Sequence, residues 1–181
     1  MKAKYNSFFK FIVIIFMMIG YTMTSNADDN ILLLELKDGI VTIEMKPDVA
    51  PNHVNRIKEL VNEGFYDGIK FHRVIAGFMA QTGDPLGNGT GGSGQNLNAE
   101  FNNERHLRGT LSMARAQDPN SADSQFFICL DDAPHLNGQY TVWGQVIDGM
   151  EYVDNIKKGE GNNGSIIGEA DIIISMKMKN K

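Results

Sequence analysis

The stretch at residues 71–84, FHRVIAGFMAQTGD, carries residue types at a spacing that can do chemistry. One arginine, Arg73, lies among Phe71, Ile75, Phe78 and Met79, and an amide, Gln81, follows two residues after the methionine. Residues 69–75 alternate and are rich in β-formers, which predicts a strand. A period of two puts Phe71, Arg73 and Ile75 on one face. Met79 and Gln81 share a face in the same way if the chain resumes as a strand after Gly77. A guanidinium on a largely apolar face costs free energy unless something pairs with it or it borders a cleft. Taken alone, the pattern suits a structural ion pair or a stem that snorkels to water. The sharper reading is a hydrophobic pocket with one fixed hydrogen-bond donor at its rim, and the rest of the chain favours it.

Other reactive residue types give weaker patterns. His53, His72, His106 and His135 show no metal-ligand spacing, so each is expected at the surface or in packing, with His135 a candidate for a groove edge. Asp131 and Asp132, adjacent and followed by Ala133-Pro134, suit a solvated turn better than a catalytic carboxylate pair. Cys129 suits a small buried hydrophobe better than a reactive thiol. Gly87, Gly89 and Gly92 match the spacing of a dinucleotide fingerprint. That motif needs a helix to begin there, and residues 93–96, SGQN, do not look like a helix start. Residues 85–98 are expected to form a flexible surface loop.

These residues need elements to position them. Residues 31–37 and 40–46 are apolar stretches joined by Asp38-Gly39, a two-residue hairpin signal. Residues 51–63 predict a helix, with Pro51 in its first turn, an apolar stripe of Val54, Ile57 and Val61 with Leu60 beside it, and Gly64 at the C-cap. Residues 109–114, 124–130, 140–146 and 170–178 are further strand candidates. Residues 148–158 predict a second helix, with Asp148 and Glu151 at capping-box spacing. Seven or eight short strands and two helices point to an antiparallel barrel or sandwich.

The chain has 181 residues, of which 42% are hydrophobic and 22% charged, which suits one folded domain and excludes disorder. Its beginning reads differently. Lys2, Lys4 and Lys10 flank an apolar run at residues 11–19, and Ser25-Asn26-Ala27 supplies small residues before a cut. That is the layout of a secretory signal peptide over residues 1–27, leaving a domain at 28–181. The run is short for a bilayer span of about 20 apolar residues; an uncleaved membrane anchor is the alternative. Cleavage removes three lysines and no acid, which takes the formal net charge from −5 to −8. That argues against nucleic acid or anionic lipid as a partner. With Cys129 as its single cysteine, the domain has no internal disulfide and depends on its core.

Two stretches together resemble the cyclophilins, the peptidyl-prolyl cis–trans isomerases. They are FHRVIAGFMAQTGD and RGTLSMARAQDPNSADSQFFICLDDAPHLNGQYTVWGQVIDGM. The resemblance runs from about Ile31 to the C-terminus and is most like the bacterial single-domain type. It implies a mainly β fold, a closed eight-stranded antiparallel barrel with a helix over each end. It implies that Arg73 is catalytic. It assigns Phe78, Met79, Phe127 and Leu136 to a proline pocket, Gln81 and Gln125 to substrate binding, and Ala114 and Arg115 to the strip beside the substrate backbone. The family's pocket tryptophan, a hydrogen-bond donor to cyclosporin, is replaced by His135, which leaves cyclosporin sensitivity open. Its pocket histidine is replaced by Tyr140, a ring with a polar tip that suits a pocket wall.

The implied reaction needs no nucleophile, cofactor, metal or proton shuttle. An X–Pro bond has a rotation barrier of roughly 18–20 kcal/mol from amide resonance. As it twists, the prolyl nitrogen pyramidalises and regains a lone pair. A fixed guanidinium that donates to that nitrogen favours the twisted state, and such differential stabilisation is catalysis. The implied partners are unfolded or extended proline-containing polypeptides, met by a monomer in a Gram-negative periplasm. Release into the medium is the alternative location, and a binding module without turnover the alternative function.

Overall fold

The computed structural model describes residues 27–179. Apart from Ala27, the expected leader lies outside the described residues. A hairpin opens the domain: β1 (Ile31–Leu36) pairs antiparallel with β2 (Gly39–Met45), Leu36 opposite Gly39. Period two turns Leu32, Leu34 and Leu36 inward beside Val41, Ile43 and Met45. Helix α1 (Pro51–Asn62) follows, with Pro51 in its first turn, burying Val54, Ile57, Leu60 and Val61 as the stripe predicts. Its leading amides are capped from afar, because the Glu100 carboxylate accepts the amides of Asn52 and His53 and contacts His53 Nδ1 at 2.7 Å.

The remaining strands are β3 (Arg73–Ile75), β4 (Met79–Thr82), β5 (Thr110–Met113), β6 (Phe126–Cys129), β7 (Val142–Asp148) and β8 (Ser175–Met178). They build one antiparallel sheet in the order β3-β4-β6-β5-β7-β2-β1-β8. The ring expected from sequence is not closed by regular strands, since β3 and β8 are the two edges of the ladder. Irregular backbone bonds bridge them instead. Phe71 N donates to Asp171 O, Ile173 N to Ile69 O, Val74 N to Gly164 O and Ile166 N to His72 O. The predicted strand at 69–75 therefore divides. Phe71 pairs with the returning segment and its ring is fully buried in the main core, whereas Arg73 pairs with Gln81 across β3 and β4. Phe71 does not share a face with Arg73 and Ile75.

The second helix, α2 (Met150–Asp154), is shorter than predicted, and its capping box does not form. Asp148 is the last residue of β7 and lies opposite Thr42. Gly149, at φ +81°, turns the chain into the helix, and a Cβ there would lie 2.5 Å from Ile40 O. Helix α1 lies against β8, and α2 against β2.

The main core centres on Phe126, whose ring meets Tyr66 and Trp143 edge to face at 5.6 and 5.4 Å. A smaller apolar cluster of Met79, Phe127, Cys129, Ala133 and Leu136 lies apart from it. Strand β6 separates the two by alternation: Phe126 and Ile128 enter the main core, Phe127 and Cys129 the smaller cluster.

The loop after β4 is pinned rather than loose. The buried Asp84 carboxylate accepts the amides of Leu86, Asn88 and Gly89. Burial alone raises a carboxyl pKa, but these amide bonds hold Asp84 below its ordinary range. Asp123 holds the next turn through the amides of Ser93, Gly94 and Gln95. Two carboxylates thus order a segment whose glycine content suggested flexibility.

Candidate active site

Strands β3 and β4 form the hairpin that carries the arginine. Arg73 stands directly opposite Gln81. Its Nη1 donates to Gln81 Oε1 at 3.1 Å and its Nε to the carbonyl of Asn163 at 2.8 Å. Gln81 Nε2 donates onward to Gln125 Oε1 at 2.9 Å, and Gln125 Nε2 to the carbonyls of Gly89 and Gly91. Each amide in this relay fixes the next, so the half-buried guanidinium is aimed before any ligand arrives. Arg73 makes no ion pair among the described residues.

A cleft of about 170 Å³ opens beside this arginine, with apolar walls and a polar rim. Phe78, Met79, Phe127 and Leu136, assigned to a proline pocket by the resemblance, line it with Tyr140, Ala114, Arg115 and Gln81. Phe78 and Met79 are sequence neighbours that a regular strand would send to opposite faces. The tight turn before β4 resolves this. Gly77 takes φ +70°, Phe78 stays in the turn with its amide on Ile75 O, and Met79 begins the strand. Tyr140 stands edge to face on Phe127 at 5.8 Å. The cleft continues into a hollow of about 270 Å³, which shares Gln81, Ala114 and Arg115 with it and is lined by Gln125 as well. Gln125 thus belongs to the neighbouring hollow and to the relay, not to the cleft. His135 lines neither cavity: it is exposed, with its ring 5.3 Å from that of Phe78. The short 3₁₀ turn Pro134–Leu136 sends Leu136 inward, which leaves the preceding histidine outside.

Sequence reasoning missed His106. The residue is buried, its ring is stacked on Phe127 at 6.1 Å and 17°, and its ring nitrogens contact Asn137 and Ser112. It backs the aromatic that lines the cleft. An isolated histidine in RHLRG gives no periodic signal, so nothing in the chain announces that role. The carbonyl of Asn163 is equally invisible, since it reaches Arg73 from 90 residues away.

Burial, and then Asp132, pushes the Cys129 thiol up to about 12, which removes it as a nucleophile at neutral pH. Among the described residues, no group of three or more His, Cys, Asp or Glu side chains is placed to hold a metal.

Burial also lowers the pKa of His106 and His72, so both fold as neutral rings. Protons then bind the unfolded chain more readily, and stability falls as pH drops below the unfolded histidine pKa of about 6.5. Each histidine contributes a slope of at most about 1.4 kcal/mol per pH unit. Urea midpoints between pH 7.5 and 5.5 are expected to fall with acid, and to fall less in His106→Gln. Parallel slopes in the two proteins would rule out His106 as a source.

The comparisons with known proteins agree with this geometry. The family model described as "Cyclophilin type peptidyl-prolyl cis-trans isomerase/CLD" matches residues 31–178. A probable peptidyl-prolyl cis-trans isomerase of Brucella suis is 56% identical, covering 82% of this chain and 83% of its own. Peptidyl-prolyl cis-trans isomerase B of Bacillus subtilis is 46% identical, covering 69% and 89%. Among solved structures, a Cryptosporidium parvum cyclophilin determined in the presence of the dipeptide Ala-Pro superposes with a TM-score of 0.75 at 31% identity, covering 83% of this chain and 99% of that one. The chain belongs to the cyclophilin-type peptidyl-prolyl cis–trans isomerase family. Its activity is rotation about X–Pro peptide bonds, and its substrates are proline-containing peptides.

Proposed function

We propose that Arg73 drives this isomerisation by donating to the prolyl nitrogen, and that the protein assists folding of exported chains. One observation carries the catalytic reading. A guanidinium held by Gln81 and Asn163, without a carboxylate partner among the described residues, stands at the rim of a cleft with apolar walls. The cleft grips the ring, the relay keeps the donor still, and one N–H stabilises a lone pair that exists only in the twisted state. The dipeptide Ala-Pro accompanying the Cryptosporidium relative supports a proline ring as the occupant.

The substrates proposed are exposed X–Pro segments of unfolded or extended polypeptides. A monomer is proposed as the acting form. The basic, then apolar, then small-residue pattern of residues 1–27 supports export to a periplasm. Turnover is tested by isomerisation of an Ala-Pro peptide. Exchange well above the uncatalysed timescale of tens of seconds is expected, and exchange at the uncatalysed rate by the folded protein would overturn catalysis. Export is tested by fractionating host cells and sequencing the N-terminus of the isolated protein. A start at Asp28 is expected; a cytoplasmic protein that retains Met1 would refute it.

A further inference from the structure

Arg115 stands where the two cavities meet. It lines the cleft with Arg73 and Tyr140, and the hollow with Gln81 and Gln125. Its guanidinium is already immobilised. Nε and Nη2 donate to Gln139 O at 3.2 and 3.1 Å, and Nη1 to Ala116 O and Gln117 O at 2.9 and 3.3 Å. The group lies over the Tyr140 ring, 4.6 Å from its centroid. All these partners are neutral. Among the described residues Arg115 makes no ion pair, and neither does Arg73.

Two cations, neither ion-paired among the described residues, therefore line the cleft, on a chain whose formal net charge is −5. The charge of Arg115 strengthens its bonds to these carbonyls and its contact with Tyr140, yet no carboxylate among the described residues pairs with it. Four hydrogen bonds also leave one of its five N–H groups for an incoming acceptor. Asp123 lines the hollow but not the cleft; its oxygens accept from the Ser93 hydroxyl and the amides of Ser93, Gly94 and Gln95, all neutral, so its negative charge stays in the hollow and the acidic flank is expected on the cleft side of Arg115.

We propose that Arg115 makes the enzyme selective for acidic-flanked X–Pro segments, those with Asp or Glu within two residues of the proline. This rests on the groove being the substrate site proposed above. A flanking carboxylate meets a positive charge whose side-chain entropy is already spent. A flanking lysine meets like charge. An exposed ion pair of this kind corresponds to about a twofold to fivefold preference. The preference should fade at 1 M salt, where screening acts within about 3 Å.

The test uses the purified full-length chain and matched peptides with Glu, Gln, Lys or Ala at each position within two residues of a single proline. NMR exchange spectroscopy and titration give turnover and affinity together without a coupling protease. The parent is expected to favour the Glu peptide over the Gln peptide by about twofold to fivefold at one or more positions, and to disfavour the Lys peptide. Arg115→Gln should bring these ratios to unity, Arg115→Glu should invert them, and Arg115→Lys should retain a preference. Equal ratios in parent and Arg115→Gln, or no Glu preference in the parent, would overturn the proposal. The Ala peptide separates the two readings: if it is bound but not turned over, catalysis fails, and the affinity ratios still decide selectivity.

Discussion

Arg73→Ala is expected to lower kcat/KM on an Ala-Pro peptide by about a hundredfold to a thousandfold, the usual effect of removing one preorganised donor from a transition state. The side chain is half-buried, contributes to neither apolar cluster and makes no ion pair among the described residues, so its removal should leave the fold intact. The loss should fall mainly on kcat, because the cleft walls of Phe78, Met79, Phe127 and Leu136 still hold the ring. Arg73→Lys should recover only part of the activity, since an ammonium carries its three donors on one rotatable nitrogen and lacks the planar fork that spreads donors between Asn163 O, Gln81 and the cleft. The measurement is exchange NMR on both variants, with circular dichroism to establish folding. A folded Arg73→Ala protein with parental kcat would exclude the arginine from the reaction.

The adjacent pair Phe126 and Phe127 should give opposite outcomes under the same substitution. Phe126 is fully buried between Tyr66 and Trp143, so Phe126→Ala opens a cavity at the centre of the main core. Such truncations cost about 3–5 kcal/mol, much of a total stability of about 5–15 kcal/mol. The molecules that remain folded should turn over substrate at a rate close to the parent's. Phe127 instead lines the cleft between His106 and Tyr140. Phe127→Ala should cost only about 1–3 kcal/mol, because the space it leaves opens toward solvent, yet it should reduce kcat/KM at least about tenfold, as removal of a good contact of 1.4 kcal/mol or more does. Urea midpoints and turnover at low temperature separate the two effects. If Phe126→Ala lost activity while folded, or Phe127→Ala kept it, the division of β6 between core and site would be wrong.

Much of the site was legible because strands keep a strict period. Phe127 and Cys129 on one face of β6, with Phe126 and Ile128 on the other, follow from alternation alone. The same rule put Met79 and Gln81 together. It failed at Phe71, where the chain changes partner between residues 71 and 73 and the period breaks. A different signal failed at α2, where the left-handed Gly149 is the N-cap and the capping box expected of Asp148 and Glu151 does not form. The loop at residues 85–98 seemed flexible because glycine content records conformational freedom and not the acceptors that remove it. Those acceptors are Asp84 and Asp123.

The sequence by itself determined the family, the alternating faces and the residue types of the cleft, because these depend on short-range periodicity and on two long motifs. Tertiary structure alone decided how the arginine is aimed. Its Nε bond comes from Asn163, its amide relay ends at Gly89 and Gly91, and His106 supports the cleft from behind Phe127. It also decided that His135 stays outside and that irregular pairing joins the sheet edges. Each of these contacts joins segments distant in sequence through a single hydrogen bond or ring face. Such contacts impose no periodicity on the chain, so they exist only once the sheet has brought the segments together.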